Sequence, residues 1–208
     1  MAEIKKMSYK KKYSCVQKSI ELDYQYIPSF VQRTLGGDAV YKLRNTWQER
    51  LRNIPGDMPA EEKYERAYSN WIWIARNTYS FIRERLGESG VEQFERAEIE
   101  ELKRKYSGMT IYALNTIALV SPGFASMMIT KQLLYELQWL TPVTISELTQ
   151  NKCVVRVPRC KVLDFPGTSD LCHIGCEKTY SIWMAEQFHK SIKTERQGRG
   201  CTKIITPL

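Results

Sequence analysis

The stretch VTISELTQNKCVVRVPRCKVL, residues 143–163, decides the fold class of this sequence. Apolar and polar side chains alternate on both sides of Gln150 and Asn151. Two alternating runs separated by a turn signal are typical of a β-hairpin. We therefore predict that a small antiparallel sheet begins in this part of the chain.

The residues after this hairpin extend the sheet and add one helix. TSDLCHIGCEKTYSIWMAEQFHK, residues 168–190, has apolar positions at a helical period and offers Ser169 or Asp170 as an N-cap. SIKTER and CTKIITPL then flank the turn QGRG and predict two closing strands. The predicted order is strand, strand, helix, strand, strand, and the helix carries two cysteines.

The N-terminal portion has a helical pattern instead. In YSNWIWIARNTYSFIRERLG, residues 68–87, Trp71, Ala75 and Tyr79 recur every four residues, and Gly87 suits a helix end. This aromatic stripe predicts helical core, with the lining of a ligand pocket as the alternative. A second, more exposed helix is predicted over residues 89–108. We expect an α+β fold in which a helical portion, 1–140, packs on a cysteine-rich portion, 141–208, in one compact domain.

The chain of 208 residues has a formal net charge of +8, and lysines crowd its first dozen positions. This N-terminal cluster predicts a solvated tail, and the positive charge favours an anionic small-molecule partner. Zinc-finger spacing, an RNA-binding signature and a basic helical stripe are all missing, so no nucleic-acid partner is expected. A homo-oligomer stays an open alternative.

The sequence contains one charge-free stretch, residues 107–130, that is long enough to cross a bilayer. Pro122 and Gly123 interrupt it, so two short buried elements joined by a turn are predicted instead of a membrane span. The N-terminus lacks the apolar region of a secretory signal. Together with six cysteines that predict no disulfide framework, this indicates a reducing, cytoplasmic location.

The C-terminal cysteines are the candidate functional residues. Two of them lie four residues apart on the predicted helix and face the same way, one ends a strand and one opens the last strand. Four thiolates from neighbouring elements suit a tetrahedral zinc ion or an iron–sulfur cluster. The predicted metal ligands are Cys160, Cys172, Cys176 and Cys201.

Several alternatives stay open for this region. Cys153 or His173 would substitute for one ligand, or the cysteines would only fill the core. Cys172, nearest the N-terminus of the predicted helix, is the candidate nucleophile, with His173 and Glu177 as candidate proton-transfer groups. Arg156 and Arg159 are either exposed strand residues or a clamp for a substrate carboxylate.

Several short motifs of the chain resemble a known family. TLGGDAV (residues 34–40), SNWIWIARNTYSFIRERLG (69–87), and VPRC, DLC and GRGC, which end at Cys160, Cys172 and Cys201, resemble the L-2-amino-thiazoline-4-carboxylic acid hydrolase-like family. More distantly, the chain is similar to the 4-vinyl reductase type of small-molecule-binding domain. Where the hydrolases place an aspartate shortly after the middle cysteine, this sequence has Cys176 and Glu177.

The resemblance implies an α+β fold with a pocket between the N-terminal helices and the cysteine-bearing sheet. It also implies a hydrolase that opens a carbon–nitrogen bond in a small, anionic, cyclic substrate. Cys172 or a metal-bound water would attack, and His173 or Glu177 would move protons. The alternatives are a non-catalytic protein that binds a small molecule, a metal or an iron–sulfur cluster, and an accessory subunit that docks a partner through its basic surface.

Overall fold

The computed structural model describes residues 5–105 and 121–208 and has the predicted α+β fold, with helices first and a small antiparallel sheet at the C-terminal end. The helices are α1 (Tyr9–Leu35), α2 (Gly37–Gln48), α3 (Ala60–Lys105), α4 (Pro122–Leu137) and α5 (Tyr180–Phe188). The strands are β1 (Thr144–Leu148), β2 (Cys153–Val157), β3 (Lys190–Gln197) and β4 (Gly200–Pro207). A 3₁₀-helix (Lys161–Asp164) and a π-helix (Leu171–Thr179) lie between β2 and α5.

The chain divides into two compact units. The helical unit contains residues 7–97 and 167–171, and the mixed unit contains residues 1–6, 98–166 and 172–208. All four strands belong to the mixed unit.

Aromatic side chains from α1 and α3 form the core of the helical unit. Phe94 contacts the rings of Tyr26, Phe30 and Tyr79 at centroid distances of 5.7, 5.3 and 5.6 Å. Tyr79 is buried and Trp71 is half-buried, so the predicted aromatic stripe packs as helical core. Such rings bury large apolar areas, which makes them a strong source of packing energy.

Helix α3 is broken at Gly87, where the sequence predicts a helix end. Gly87 has φ +66°, a left-handed value that other residues adopt only with strain. Arg83 joins the two sides of the break: its Nε donates to Glu88 at 2.6 Å and its Nη1 donates to Asp170 at 2.5 Å. Asp170 therefore binds an arginine, and both Ser169 and Asp170 are already helical, which corrects the prediction of either residue as an N-cap.

The N-terminal lysines form a tail only in part. Helix α1 begins at Tyr9, with the Ser8 side chain accepting from the Lys11 backbone N–H at 3.4 Å, so Lys10, Lys11 and Lys12 are helical. Lys12 also lies 5.3 Å from the centre of the Tyr9 ring. The tail prediction is wrong for these three lysines, because a serine cap and aromatic contacts order them.

The mixed unit contains one four-stranded antiparallel sheet in the order β1-β2-β4-β3. The predicted hairpin around Gln150 and Asn151 forms β1 and β2, and the predicted closing hairpin forms β3 and β4. Leu134 of α4 packs on the sheet with a core cluster of buried residues: Ile145, Cys153, Val155 and Ile205. A second core cluster, which contains Trp183 and Met184 of α5, joins α3, α4 and α5.

Helix α4 confirms the predicted helix after the charge-free stretch. Residues 107–120 of that stretch lie outside the described residues, as does the predicted helix end at Gly108. Among the residues that the structure describes, no helix is both long and apolar enough to cross a bilayer.

Candidate thiol-cluster site

Three rows of paired residues cross one face of the sheet. Cys153 lies opposite Ile205 and Ile205 opposite Ile192 in the first row, which we call the apolar end of the sheet. The second row contains Val155, Lys203 and Thr194. The third row contains Val157, Cys201 and Arg196, and we call it the thiol end of the sheet. Because side chains alternate along a strand, Cys201, Lys203 and Ile205 of β4 all point to this face.

Cys160 is held at the thiol end by the backbone. It precedes the 3₁₀-helix as its N-cap, and its N–H donates to the Arg199 carbonyl in the β3–β4 turn at 2.7 Å. Burial raises the pKa of the Cys160 thiol, while the backbone N–H groups of Val162 and Leu163 and the Thr141 hydroxyl lower it by stabilising the thiolate. Donors of this kind orient a metal-ligating sulfur.

Cys172 and Cys176 share the nine-residue π-helix, although the sequence predicts an α-helix there. The π-helix is a rare conformation that occurs frequently at functional sites. Lys203 of β4 donates to the Cys176 carbonyl at 3.3 Å, which places the π-helix on the face that Cys201 occupies. The two thiols therefore lie on the same side of the sheet as Cys201.

Neighbouring thiols contribute to the raised pKa values of Cys160, Cys172 and Cys201. Burial first, and then the neighbouring Cys176, Cys160 and Cys201 thiols, raise the pKa of Cys172 to about 11. Burial also raises the pKa of Cys201, and Cys176 and Cys160 raise it further. We call these four electrostatically coupled residues, Cys160, Cys172, Cys176 and Cys201, the thiol cluster.

The thiol cluster is not closed into a ligating arrangement. Across residues 5–105 and 121–208, no three His, Cys, Asp or Glu side chains stand in positions that could hold a metal ion. Binding of a metal ion by these thiols would therefore require them to move from the positions described.

Cations adjoin the thiol cluster on the sheet. Arg196 lies opposite Cys201 in register, and its charge lowers the pKa of Cys172 and Cys201. Lys203, only 5% exposed, lowers the pKa of Cys201. Sequence analysis missed Lys203, although the alternation of Cys201, Lys203 and Ile205 along β4 is a signal that could have found it.

The other two predicted catalytic residues, His173 and Glu177, bind Arg196. The Arg196 Nε donates to Glu177 Oε2 at 3.0 Å, and Arg196 Nη1 lies 2.7 Å from His173 Nε2. Because a guanidinium only donates, His173 Nε2 accepts and the ring proton lies on Nδ1, 3.9 Å from Glu177 Oε2. The lone pair that His173 would use as a base is therefore occupied by Arg196.

The two candidate arginines of β2 and its following loop differ. Arg159 is exposed and bound to Asp164, with Nε at 2.9 Å. Arg156 is exposed and lines a pocket of about 330 Å³ at the thiol end of the sheet, together with Thr202, Gln197 and Cys201. Arg156 is thus the better placed of the two to meet an anion.

The remaining cysteines lie elsewhere. Cys153 is buried in the core at the apolar end of the sheet, so it does not replace a member of the thiol cluster. Cys15 belongs to α1 in the helical unit. All six cysteines are free thiols in the structure.

Comparison with known proteins gives little further guidance. No protein-family model and no curated protein matches the chain, so the resemblance to the hydrolase-like family has no support from these comparisons. The chain is similar to a solved structure of an H-NOX protein from K. algicida, a point mutant in the Fe(II) unliganded state. That structure is 11% identical, the match covers 89% of this chain and 94% of that chain, and the TM-score is 0.30. A TM-score of 0.30 is too low to establish a shared fold.

Proposed function

We propose that the mixed unit is a metal-binding module in which the thiol cluster holds one zinc-class divalent ion or one iron–sulfur cluster, without catalysing a reaction. The proposal is supported by the electrostatic coupling of thiols from three elements: Cys160 before the 3₁₀-helix, Cys172 and Cys176 on the π-helix, and Cys201 on β4. Four sulfur donors are the ligand set that zinc and iron–sulfur clusters prefer.

The chemistry of the surrounding residues supports the same proposal. Ionising several half-buried thiols together is costly, because each thiolate loses hydration and repels its neighbours. A bound cation removes that cost. The reaction of one zinc ion with four thiols gives a tetrathiolate complex of charge −2 and releases four protons, so atoms and charge balance.

A hydrolase is the competing function, and the geometry supports it less. With a pKa of about 11, Cys172 is protonated at neutral pH and is a poor nucleophile. Glu177 is held in an ion pair with Arg196, and His173 accepts from the same guanidinium. None of the three predicted catalytic groups is therefore poised for the hydrolysis of a carbon–nitrogen bond.

The proposal includes a small anionic ligand near Arg156, because the pocket beside it combines a guanidinium with threonine and glutamine side chains. The homo-oligomer, the cytoplasmic location and the absence of a nucleic-acid partner stay predictions from the sequence.

The proposal is tested on full-length protein purified without oxygen, by measuring zinc, iron and acid-labile sulfide per chain. We expect either about one zinc per chain without sulfide or iron and sulfide in equal amounts. Cys153→Ala is the matched control, since it removes a buried thiol outside the thiol cluster and should retain the metal.

Two outcomes would contradict the proposal. The first is a chain that neither contains metal nor takes up added zinc after reduction. The second is opening of an amino-thiazoline carboxylic acid ring by metal-free protein that Cys172→Ala abolishes and Cys15→Ala leaves intact. The second result would restore the hydrolase.

A further inference from the structure

Arg156 differs from the other arginines near the thiol end of the sheet. Arg159 and Arg199 bind Asp164 at 2.8 and 3.3 Å, and Arg196 donates to a glutamate of the π-helix at 3.0 Å. Within the part of the chain that the structure describes, Arg156 has no ion pair and no side-chain hydrogen bond. Because a guanidinium is a strong, directional donor, this one is available to an anion from solution.

The register of the sheet places Arg156 in a row of polar side chains. Thr144 lies opposite Arg156 and Arg156 opposite Thr202, so the three side chains point to the same face of the sheet. Gln197 lies opposite Gly200, which is two residues before Thr202 on β4, and Gln197 therefore points to that face as well. The four polar residues all line the pocket of about 330 Å³.

The polar groups of this pocket differ in what they can still bind. The Thr144 hydroxyl donates to the Arg156 carbonyl at 3.4 Å, so its proton is used within the sheet. Across residues 5–105 and 121–208, neither the Thr202 hydroxyl nor the Gln197 amide has a hydrogen-bond partner. The pocket therefore presents to a ligand three donor groups that no described residue uses: Arg156, Thr202 and Gln197.

We infer that this pocket binds a small monocarboxylate. Arg156 holds the carboxylate through two parallel N–H···O bonds, and Thr202 and Gln197 donate to a hydroxyl or keto oxygen beside it. The inference rests on the proposed function, which includes an anionic ligand near Arg156, and it names the class of that ligand. It requires no metal at the thiol cluster.

Charge and size both favour this class of ligand. Glu195 is the other charged residue in the row, and it binds Lys193 at 2.8 Å, so the row has one uncompensated positive charge, that of Arg156. One such charge balances a monoanion. A volume of about 330 Å³ is at the lower end of the range for ligand pockets, roughly 300–1,000 Å³. A small organic acid fits these conditions better than a phosphate ester or a peptide.

Two matched probes test the inference on full-length, reduced protein in the presence of 1,10-phenanthroline, a neutral metal chelator. L-Lactate is a small monocarboxylate with an adjacent hydroxyl, and L-lactamide has the same shape without the charge. Shifts of the backbone amide signals of ¹⁵N-labelled protein give the dissociation constants at constant ionic strength. We expect lactate to bind about tenfold more tightly than lactamide, because its hydrogen bonds are charge-assisted, and more tightly than dianionic inorganic phosphate.

Substitutions identify the groups that bind lactate. Arg156→Gln should weaken lactate binding by about tenfold or more, because it removes a charged donor. Arg156→Lys keeps the charge and loses the planar fork, so it should recover only part of that affinity. Thr202→Val keeps the shape of the side chain and should weaken binding by about three- to tenfold.

The matched control is Arg159→Gln. It removes the same charge from an exposed arginine near the same end of the sheet, but from one that already binds Asp164. We expect lactate affinity within about twofold of wild type. A loss as large as that of Arg156→Gln would overturn the inference, because it would show attraction by positive charge in general. Equal binding of lactamide and lactate, or wild-type affinity in both Arg156 variants, would overturn it too.

Failure of the proposed function gives a different pattern. A chain without zinc, iron or sulfide would remove the metal-binding module and leave lactate binding unaffected. Wild-type protein that binds neither lactate nor phosphate would remove the anionic ligand from the proposed function together with this inference. Phosphate binding that is tighter than lactate binding and is lost in Arg156→Gln would retain the anionic ligand and overturn only the carboxylate class.

Discussion

One face of the sheet carries cysteines at both of its ends, and the two ends differ in what surrounds the sulfur. At the apolar end, Cys153 lies opposite Ile205 and packs against Leu134, Ile145 and Val155. At the thiol end, Cys201 lies opposite Arg196, with Lys203 in the adjacent row and three more thiols beside it.

The difference between the two ends indicates how a cysteine that only fills the core can be distinguished from one that binds a ligand. Burial raises the pKa of the thiol at both ends, so a raised pKa does not distinguish them. The neighbouring groups distinguish the two ends, because a core cysteine is surrounded by hydrocarbon, whereas a ligating cysteine is surrounded by cations, N–H donors and other thiols. Substitutions that change one of these two environments at a time test whether the two ends of the sheet differ in function.

Removal of one ligand should have the largest effect. We expect Cys172→Ala to lower Zn²⁺ affinity by more than about 100-fold, because even changes to groups behind the ligands cost about 10–100-fold. Cys153→Ala should bind Zn²⁺ as wild type does and lose stability instead, by roughly 1 kcal/mol for the small cavity. Calorimetric zinc titrations and urea unfolding give both values. Equal zinc affinities for wild type and Cys172→Ala would remove the distinction between the two ends.

The contribution of the apolar end to the free energy of unfolding should depend on pH. Burial raises the pKa of Cys153 from 9.0 to about 11. Since the pKa is higher in the folded protein, the protonated thiol stabilises the fold fully below pH 9, and this contribution is lost as the pH rises toward 11. The loss amounts to at most about 3 kcal/mol, since one pKa unit corresponds to roughly 1.4 kcal/mol.

Cys153→Val keeps the volume of the side chain and removes its titration. We expect its free energy of unfolding, measured in urea with a metal chelator present, to fall less than that of wild type between pH 8.5 and 11. The difference between the two proteins isolates Cys153 from the other titrating groups. An identical alkaline loss in both would show that Cys153 is not buried in hydrocarbon in solution.

Gly200 permits the close approach of strands at the thiol end. A Cβ at this position would lie 2.4 Å from the Val157 carbonyl oxygen and 2.6 Å from that of Pro158. Gly200→Ala should therefore separate β4 from β2 beside Cys201 and cost about 1–3 kcal/mol of unfolding free energy. Weaker zinc binding should accompany this cost, because Cys160 and Cys201 would move apart.

The neighbouring glycine provides the control. Gly198 has φ +59°, and a Cβ added there would meet no atom within 4 Å. Gly198→Asn, which tolerates left-handed backbone, should therefore cost only a few tenths of a kcal/mol. Chemical denaturation of both variants compares them directly. If Gly200→Ala proved as stable as Gly198→Asn, the close packing of β2 and β4 at Gly200 would be refuted.

His173→Ala should have the smallest effect. The His173 side chain is 57% exposed and its Nε2 faces Arg196, so we expect zinc affinity within about twofold of wild type and stability within about 0.5 kcal/mol. A loss as large as that of Cys172→Ala would identify His173 as a ligand in place of one cysteine.

Local patterns account for the parts of the structure that the sequence predicts well. Alternation on both sides of Gln150 and Asn151 predicts β1 and β2, and the positive φ of Gly87 breaks α3 where a helix end is expected. The grouping of Cys160, Cys172, Cys176 and Cys201 around one metal ion stays a prediction from the sequence, since no three His, Cys, Asp or Glu side chains of the described residues stand in positions that could hold one.

Sequence patterns do not predict features that depend on residues far apart in the chain. The π-helix shifts each backbone hydrogen bond by one residue, and LCHIGCEKT, residues 171–179, has no composition that separates this from an α-helix. Glu177 accepts a hydrogen bond from Arg196, nineteen positions away. The packing of the π-helix on the sheet determines such partners, and local sequence patterns do not predict this packing.

X-ray absorption at the zinc edge of zinc-loaded, full-length protein tests the convergence of the four thiols most directly. We predict four sulfur scatterers at about 2.3 Å and no nitrogen, in wild type and in Cys153→Ala alike, and three sulfurs in Cys201→Ala. A zinc ion with two or fewer sulfur neighbours in wild type, or loss of a sulfur in Cys153→Ala, would contradict a site built from Cys160, Cys172, Cys176 and Cys201.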